Sequence, residues 1–248
     1  MRRLLEVELT RALAGAVASE HLHLETTPHL GGNMEIRISA RAFAEFVFGS
    51  PSKKSATVRG ILRPRSPETQ IPRRYYARAI RIIRSYHKNG NSQDYLRDEL
   101  RKLGEKWQAT ETRQSRTQLG MNLMAIEAYM RLFANRTWRI TPCPRIHYSS
   151  KSVRISATPD LAVKDEKGIH LIKLGVRKEK EIEDVVRLML RVIYQACEGQ
   201  VEIAPEDIAY FDVSTGEVIR GAQADLRLAR TIEGGCAALQ EFVEKKVA

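Results

Sequence analysis

The sequence predicts an α/β protein in which a mixed central sheet is flanked by helices, and three observations carry that reading. Residues 153–163 (VRISATPDLAV) alternate apolar and polar side chains, residues 165–168 supply turn chemistry, and residues 169–174 (IHLIKL) form a short apolar run. Together they read as a hairpin of two strands in the middle of the chain. Several segments on either side repeat apolar residues every three and four positions, the period of a helix buried on one face. A second hairpin pattern, residues 208–213, a Ser-Thr-Gly turn and residues 217–219, follows a long late helical segment.

In chain order, residues 3–19 can form a helix, followed by the alternating HLHLETT and the Gly31-Gly32 turn. His21, His23 and His29 invite a metal reading, but no cysteine or further close ligand completes a shell, so they read as surface histidines. In residues 36–54, Ser39 is a natural N-cap, Phe43, Phe46 and Val47 fall at helical spacing, and Gly49-Ser50-Pro51 stops the helix. Residues 51–72 carry Pro51, Pro64, Pro67 and Pro72 among many cations and read as a loop or extended arm.

Residues 73–86 form the clearest basic helix. At the helical period Arg73, Arg74, Arg78, Arg81 and Arg84 occupy an arc of about 140°. Tyr76, Ile80, Ile82, Ile83 and Tyr86 take the other side and pack. A Gly/Asn turn at 87–92 leads to a helix over 93–107 with Tyr95, Leu96, Leu100 and Leu103 inward. A third helix, 113–134, carries Leu119, Leu123, Ile126, Met130 and Phe133 at spacings of three and four. Residues 138–148 read as the strand before the hairpin, completing a three-stranded meander. Residues 178–197 form a long helix burying Ile182, Val185, Met189, Ile193 and Cys197, and 222–246 a last helix with Gly234-Gly235 as a break or close-packing point.

Charge is informative by place. Residues 51–120 hold 17 Lys/Arg against 6 Asp/Glu, which accounts for the whole net charge of +11. Such segregation is expected of a polyanion-binding surface, because five guanidiniums on one helix face repel one another until phosphates neutralise them. The chain of 248 residues divides into an N-terminal arm and basic helical region (1–112) and a core (113–248), read as one continuous compact unit. Cys143, Cys197 and Cys236 are far apart and odd in number, which points to free thiols in a reducing, cytoplasmic setting. Glu6, Glu8 and Arg11 interrupt the first apolar run, so it is a poor signal peptide, and no stretch reaches transmembrane length. No membrane partner is expected.

Within the central hairpin, a Pro-Asp ends one strand segment and a lone Lys173 interrupts the next. A charge inside an apolar strand is costly to bury without a partner. This arrangement resembles the PD-(D/E)XK nuclease superfamily, in its RecB-like branch, over roughly residues 36–220. The resemblance implies a restriction-endonuclease-like core and a site where Asp160 binds a divalent metal and Lys173 serves the attacking water. The family's middle acid falls on Leu171, its helix His on Met124 after Gly120, and its Gln on Leu190 four residues before Tyr194. Ser50 stands where some relatives anchor an iron-sulphur cluster, so none is expected.

Three functional readings follow. In the first, the catalytic site has decayed and the protein binds nucleic acid, foremost DNA, or a DNA-processing complex, through the arginine helix. In the second, Glu127, Glu183 or Asp184 supplies the missing carboxylate, and Mg2+ or Mn2+ on Asp160 supports phosphodiester cleavage. The third is a scaffold subunit without nucleic acid. Asp160 and Lys173 are expected side by side, as metal and water partners or as an ordinary ion pair, with Leu171 in their pocket.

Overall fold

The computed structural model describes residues 35–63, 76–176, 181–221 and 226–247. The expectations for residues 1–33, for the prolines 64, 67 and 72, and for Arg73 and Arg74 lie outside them. The chain is α/β, with mixed sheets flanked by helices. Strand β1 (Ile36–Ser39) leads into helices α1 (Ala40–Phe48), α2 (Pro51–Leu62), α3 (Ala77–Lys88), α4 (Gln93–Gln108) and α5 (Arg113–Phe133). Strands β2 (Arg139–Ile140), β3 (His147–Ser150), β4 (Val153–Ser156), β5 (Leu161–Asp165) and β6 (Gly168–Gly175) follow. Helix α6 (Glu183–Cys197), strands β7 (Ile208–Asp212) and β8 (Val218–Arg220), and helix α7 (Leu226–Val247) close the chain.

The strands form two sheets, one of three strands ordered β1-β4-β3 and one of five ordered β2-β5-β6-β7-β8. Two expectations are thereby corrected. Residues 153–163 are two strands in different sheets, not one, because the chain turns at Thr158-Pro159, where proline offers no N–H to a ladder. Residues 138–148 are likewise two short strands, interrupted by Pro142 and Pro144, so there is no continuous meander. The β5–β6 hairpin forms around the expected turn, with Leu161 opposite Ile172 and Asp165 opposite Gly168. Helix α6 then returns the chain to β7, which pairs parallel to β6, and β8 closes the predicted second hairpin.

The first helix stops at Phe48, ahead of Gly49-Ser50-Pro51, as expected, but the loop expected from residue 51 is corrected over 51–62. Pro51 starts α2 from the first helical position, where its missing N–H costs nothing, and the Ser50 side chain accepts from the Lys53 N–H as cap. Ser39 caps α1 as expected. Helix α3 continues two residues past the predicted end, to Lys88. Helix α6 begins only at Glu183, which leaves Ile182 59 % exposed at the N-cap instead of buried.

The five-stranded sheet has a helical layer on each face. One core joins α1, α2, α6, α7 and the small sheet to Ala162, Leu171, Ile208 and Tyr210. The other joins α3, α4 and α5 to Leu161, Val163, Ile172, Leu174, Ala209 and Phe211. Each core draws on residues from both sides of position 112. Gly235 lets α7 approach α1, since a Cβ there would stand 2.7 Å from Val47 and 2.8 Å from Phe43.

Helix α3 docks on α5 through buried polar groups. The Ala79 N–H donates to Asn122 Oδ1 at 2.8 Å, and Tyr129 OH lies 2.5 Å from His87 Nε2. His87 Nδ1 lies 2.5 Å from Asn91 Oδ1, so the network assigns the proton to Nδ1 and makes Nε2 the acceptor for the tyrosine. Burial holds His87 below the ordinary histidine value, consistent with a neutral ring.

Candidate nucleic-acid interface

Asp160 follows Pro159 and precedes β5, and its backbone N–H donates to Ile172 O at 2.9 Å. That bond brings its carboxylate over the carboxyl end of β6. Lys173 Nζ donates to Oδ1 at 2.9 Å, and the Leu174 N–H donates to Oδ2 at 2.9 Å. Lys173 reaches the Thr158 carbonyl as well, at 3.4 Å. The two side chains are 15 % and 26 % exposed, so the pair stands at the rim of the core and keeps partial access to water. Alternation along β6 puts Leu171 on the same face as Lys173, and Leu171 is 1 % exposed among the apolar side chains of that core.

The basic helix reaches the same corner. Arg84 Nη2 donates to the Asp160 carbonyl at 2.5 Å, a contact across 76 residues of sequence. Arg81 and Arg84 are exposed and Arg78 is half-buried. Helix α3 contains no acidic residue, and among the described residues none of the three makes an ion pair with a carboxylate. Helix α4, by contrast, neutralises itself: Arg97 pairs with Asp94, Arg101 with Asp98 and Glu105, and Lys102 with Asp98 and Glu99. Among the described residues of 51–120 the net positive charge therefore sits on α2, α3 and the start of α5 and not on α4.

The proposed substitute acids stand elsewhere. Glu127 lies on the exposed face of α5, one turn from Met124, which is 56 % exposed. Glu183 is exposed in the first turn of α6 and binds Arg187 at 2.8 and 2.6 Å, and Asp184 is also exposed. Tyr194 is half-buried under the Arg191 guanidinium, 5.1 Å from its ring centroid, and Leu190 is 1 % exposed. The carboxylate that does turn toward a neighbouring element is Glu181, just before α6, which pairs with Arg41 of α1 and is 11 % exposed.

A divalent cation such as Mg2+ or Mn2+ needs several hard oxygen donors. Here one carboxylate is present, both of its oxygens are engaged by protein donors, and the adjoining strand position is an isobutyl group. Among the described residues no group of three or more His, Cys, Asp or Glu is arranged to hold a metal ion. The residues present do not fit the metal that the resemblance implies.

One residue of this corner was not legible in sequence. Cys143, between Pro142 and Pro144, donates its thiol to the Pro159 carbonyl at 3.2 Å. Burial pushes that thiol up to about 11, with Arg84 and Lys173 pulling it down and Asp160 raising it. It is a neutral donor that braces the Pro-Asp turn. Its flanking prolines were the available signal, since they fix an extended loop that can be threaded beside the strand ends.

Among the described residues no helix is long and apolar enough to cross a membrane. No protein-family model matches the chain, and no curated protein matches it.

Proposed function

We propose that this chain is a nucleic-acid-binding protein, foremost for DNA, built on a restriction-endonuclease-like core whose metal-dependent chemistry has been lost. The reading is carried by one observation: Arg84, on the arginine-bearing helix, bonds to the backbone of Asp160. The basic helix and the retired corner thus form a continuous surface on which phosphates meet Arg81, Arg84 and Lys173. The hairpin, the helix and the parallel return strand support the core assignment. The occupied carboxylate of Asp160 and the apolar Leu171 support loss of cleavage. In this account Asp160 is a positioning residue that holds the lysine in place, and no Mg2+, Mn2+ or iron-sulphur cluster is needed. Other DNA-processing proteins are partners compatible with such a role, in the cytoplasm.

Binding of labelled single- and double-stranded DNA, followed by fluorescence anisotropy across a salt series, tests the reading. Affinity is expected to fall as salt rises. The variant Arg81→Ala/Arg84→Ala is expected to bind more weakly and to lower the slope of log affinity against log salt by about two. Both arginines are exposed and only Arg84 gives up a bond to the protein, so stability is expected to fall by no more than about 1 kcal/mol. Binding that ignores both salt and these substitutions would point to the scaffold role instead.

A further inference from the structure

We propose that Trp107 is a stacking platform for an unpaired base, so that the preferred ligand is a single-stranded nucleic acid; this rests on the nucleic-acid reading above. Trp107 lies in the last turn of α4 and is 39 % exposed, whereas the second tryptophan, Trp138, is 5 % exposed. An indole left open to water forgoes the gain of burial, and a ligand's apolar face recovers it.

The indole is held in place from one side. It lies against α5 at Gly120, where even an added Cβ would stand 3.4 Å from Nε1, at van der Waals contact. Arg116, one turn earlier on α5, places its guanidinium 5.8 Å from the ring centroid. A ring pinned in this way loses little freedom when a base stacks on it.

Charge at this end matches a phosphate chain. Residues 106–116 carry Lys106, Arg113 and Arg116 against one carboxylate, Glu111, and among the described residues none of these cations forms an ion pair. The preceding turns of α4 are internally neutralised, so the free cations gather where the aromatic is. Cations flanking an exposed aromatic ring are the means by which single strands are bound without base-edge contacts. A duplex keeps its base faces stacked inside and offers Trp107 nothing to stack on.

The platform and the arginine helix pack on the same helix at different sides: Trp107 meets α5 at Gly120, and α3 meets it through the Ala79 N–H bond to Asn122, two residues further on.

Tryptophan emission reads this contact directly, because the chain has two tryptophans. In Trp138→Phe, Trp107 is the sole indole, and titration at low salt with a thymidine oligonucleotide is expected to quench it, while a duplex of equal length leaves it unchanged. Trp107→Leu is expected to weaken single-strand binding about tenfold and to leave duplex binding unchanged. If Trp138→Phe does not fold, the difference between the native protein and Trp107→Leu supplies the same quench. Single-strand binding with emission and affinity untouched by Trp107 would overturn this inference and leave the binding function standing. Absence of binding to either nucleic acid would overturn both.

Discussion

Arg84 and His87 stand one turn apart on α3 and belong to two polar clusters of opposite kind. His87 is 2 % exposed and both of its ring nitrogens are engaged, by Asn91 and Tyr129. Its neighbours are satisfied too. Asn91 Nδ2 donates to Trp138 O at 3.2 Å, Tyr86 OH donates to Ala134 O at 2.5 Å, and Gln93 Nε2 donates to Tyr86 OH at 3.3 Å. Arg84 is exposed, spends one bond on the Asp160 carbonyl, and has further donors for a ligand. A closed buried network specifies how helices dock, whereas an open rim cluster leaves donors free for an anion.

The largest expected effect comes from opening the closed cluster. Tyr129→Phe removes the O–H that His87 Nε2 accepts, leaving a buried acceptor unpaired, and should cost about 1–3 kcal/mol in denaturant unfolding. The folded protein should keep its nucleic-acid affinity. The Arg81→Ala/Arg84→Ala variant is the mirror case, with nucleic-acid binding expected to weaken and stability to change little. If Tyr129→Phe weakened binding as much as it weakened the fold, the two clusters would not be separate.

A smaller effect distinguishes them by pH. Burial lowers the folded-state value of His87, so as pH falls the unfolded chain takes up that proton first. The contribution of the neutral ring is fully present above the unfolded value, about 6.5, and declines as pH falls below it toward the lower folded value. Stability measured by urea unfolding should therefore begin to drop as pH falls below about 6.5, and His87→Asn should flatten that drop. An equal slope in the variant would place the titrating group elsewhere.

What sequence could reveal of this architecture follows from locality. The helix faces of α4 and α5, the β5–β6 turn and the Ser39 cap are set by residues within a few positions of one another, and they stand where periodicity puts them. The break at Thr158-Pro159 was hidden because alternation continues across it, so one apparent strand serves two sheets. Pro51 was ambiguous, since the same residue ends one helix pattern and begins another. At the site, the pairing of Lys173 with Asp160 was expected from a strand charge in need of a partner. The arrival of Arg84 and Cys143 depends on tertiary packing, which spacing does not encode. The candidate acids Glu127 and Glu183 were plausible by position along the chain and lie on exposed helix faces.

The central claim, a nucleic-acid surface on a retired catalytic corner, is tested most directly by incubating labelled single- and double-stranded DNA with Mg2+ or Mn2+ and the native protein, Asp160→Ala or Lys173→Ala. The account expects salt-sensitive binding and no metal-dependent cut from any of the three. A metal-dependent cut by the native protein, lost in both variants, would contradict it and establish a working nuclease.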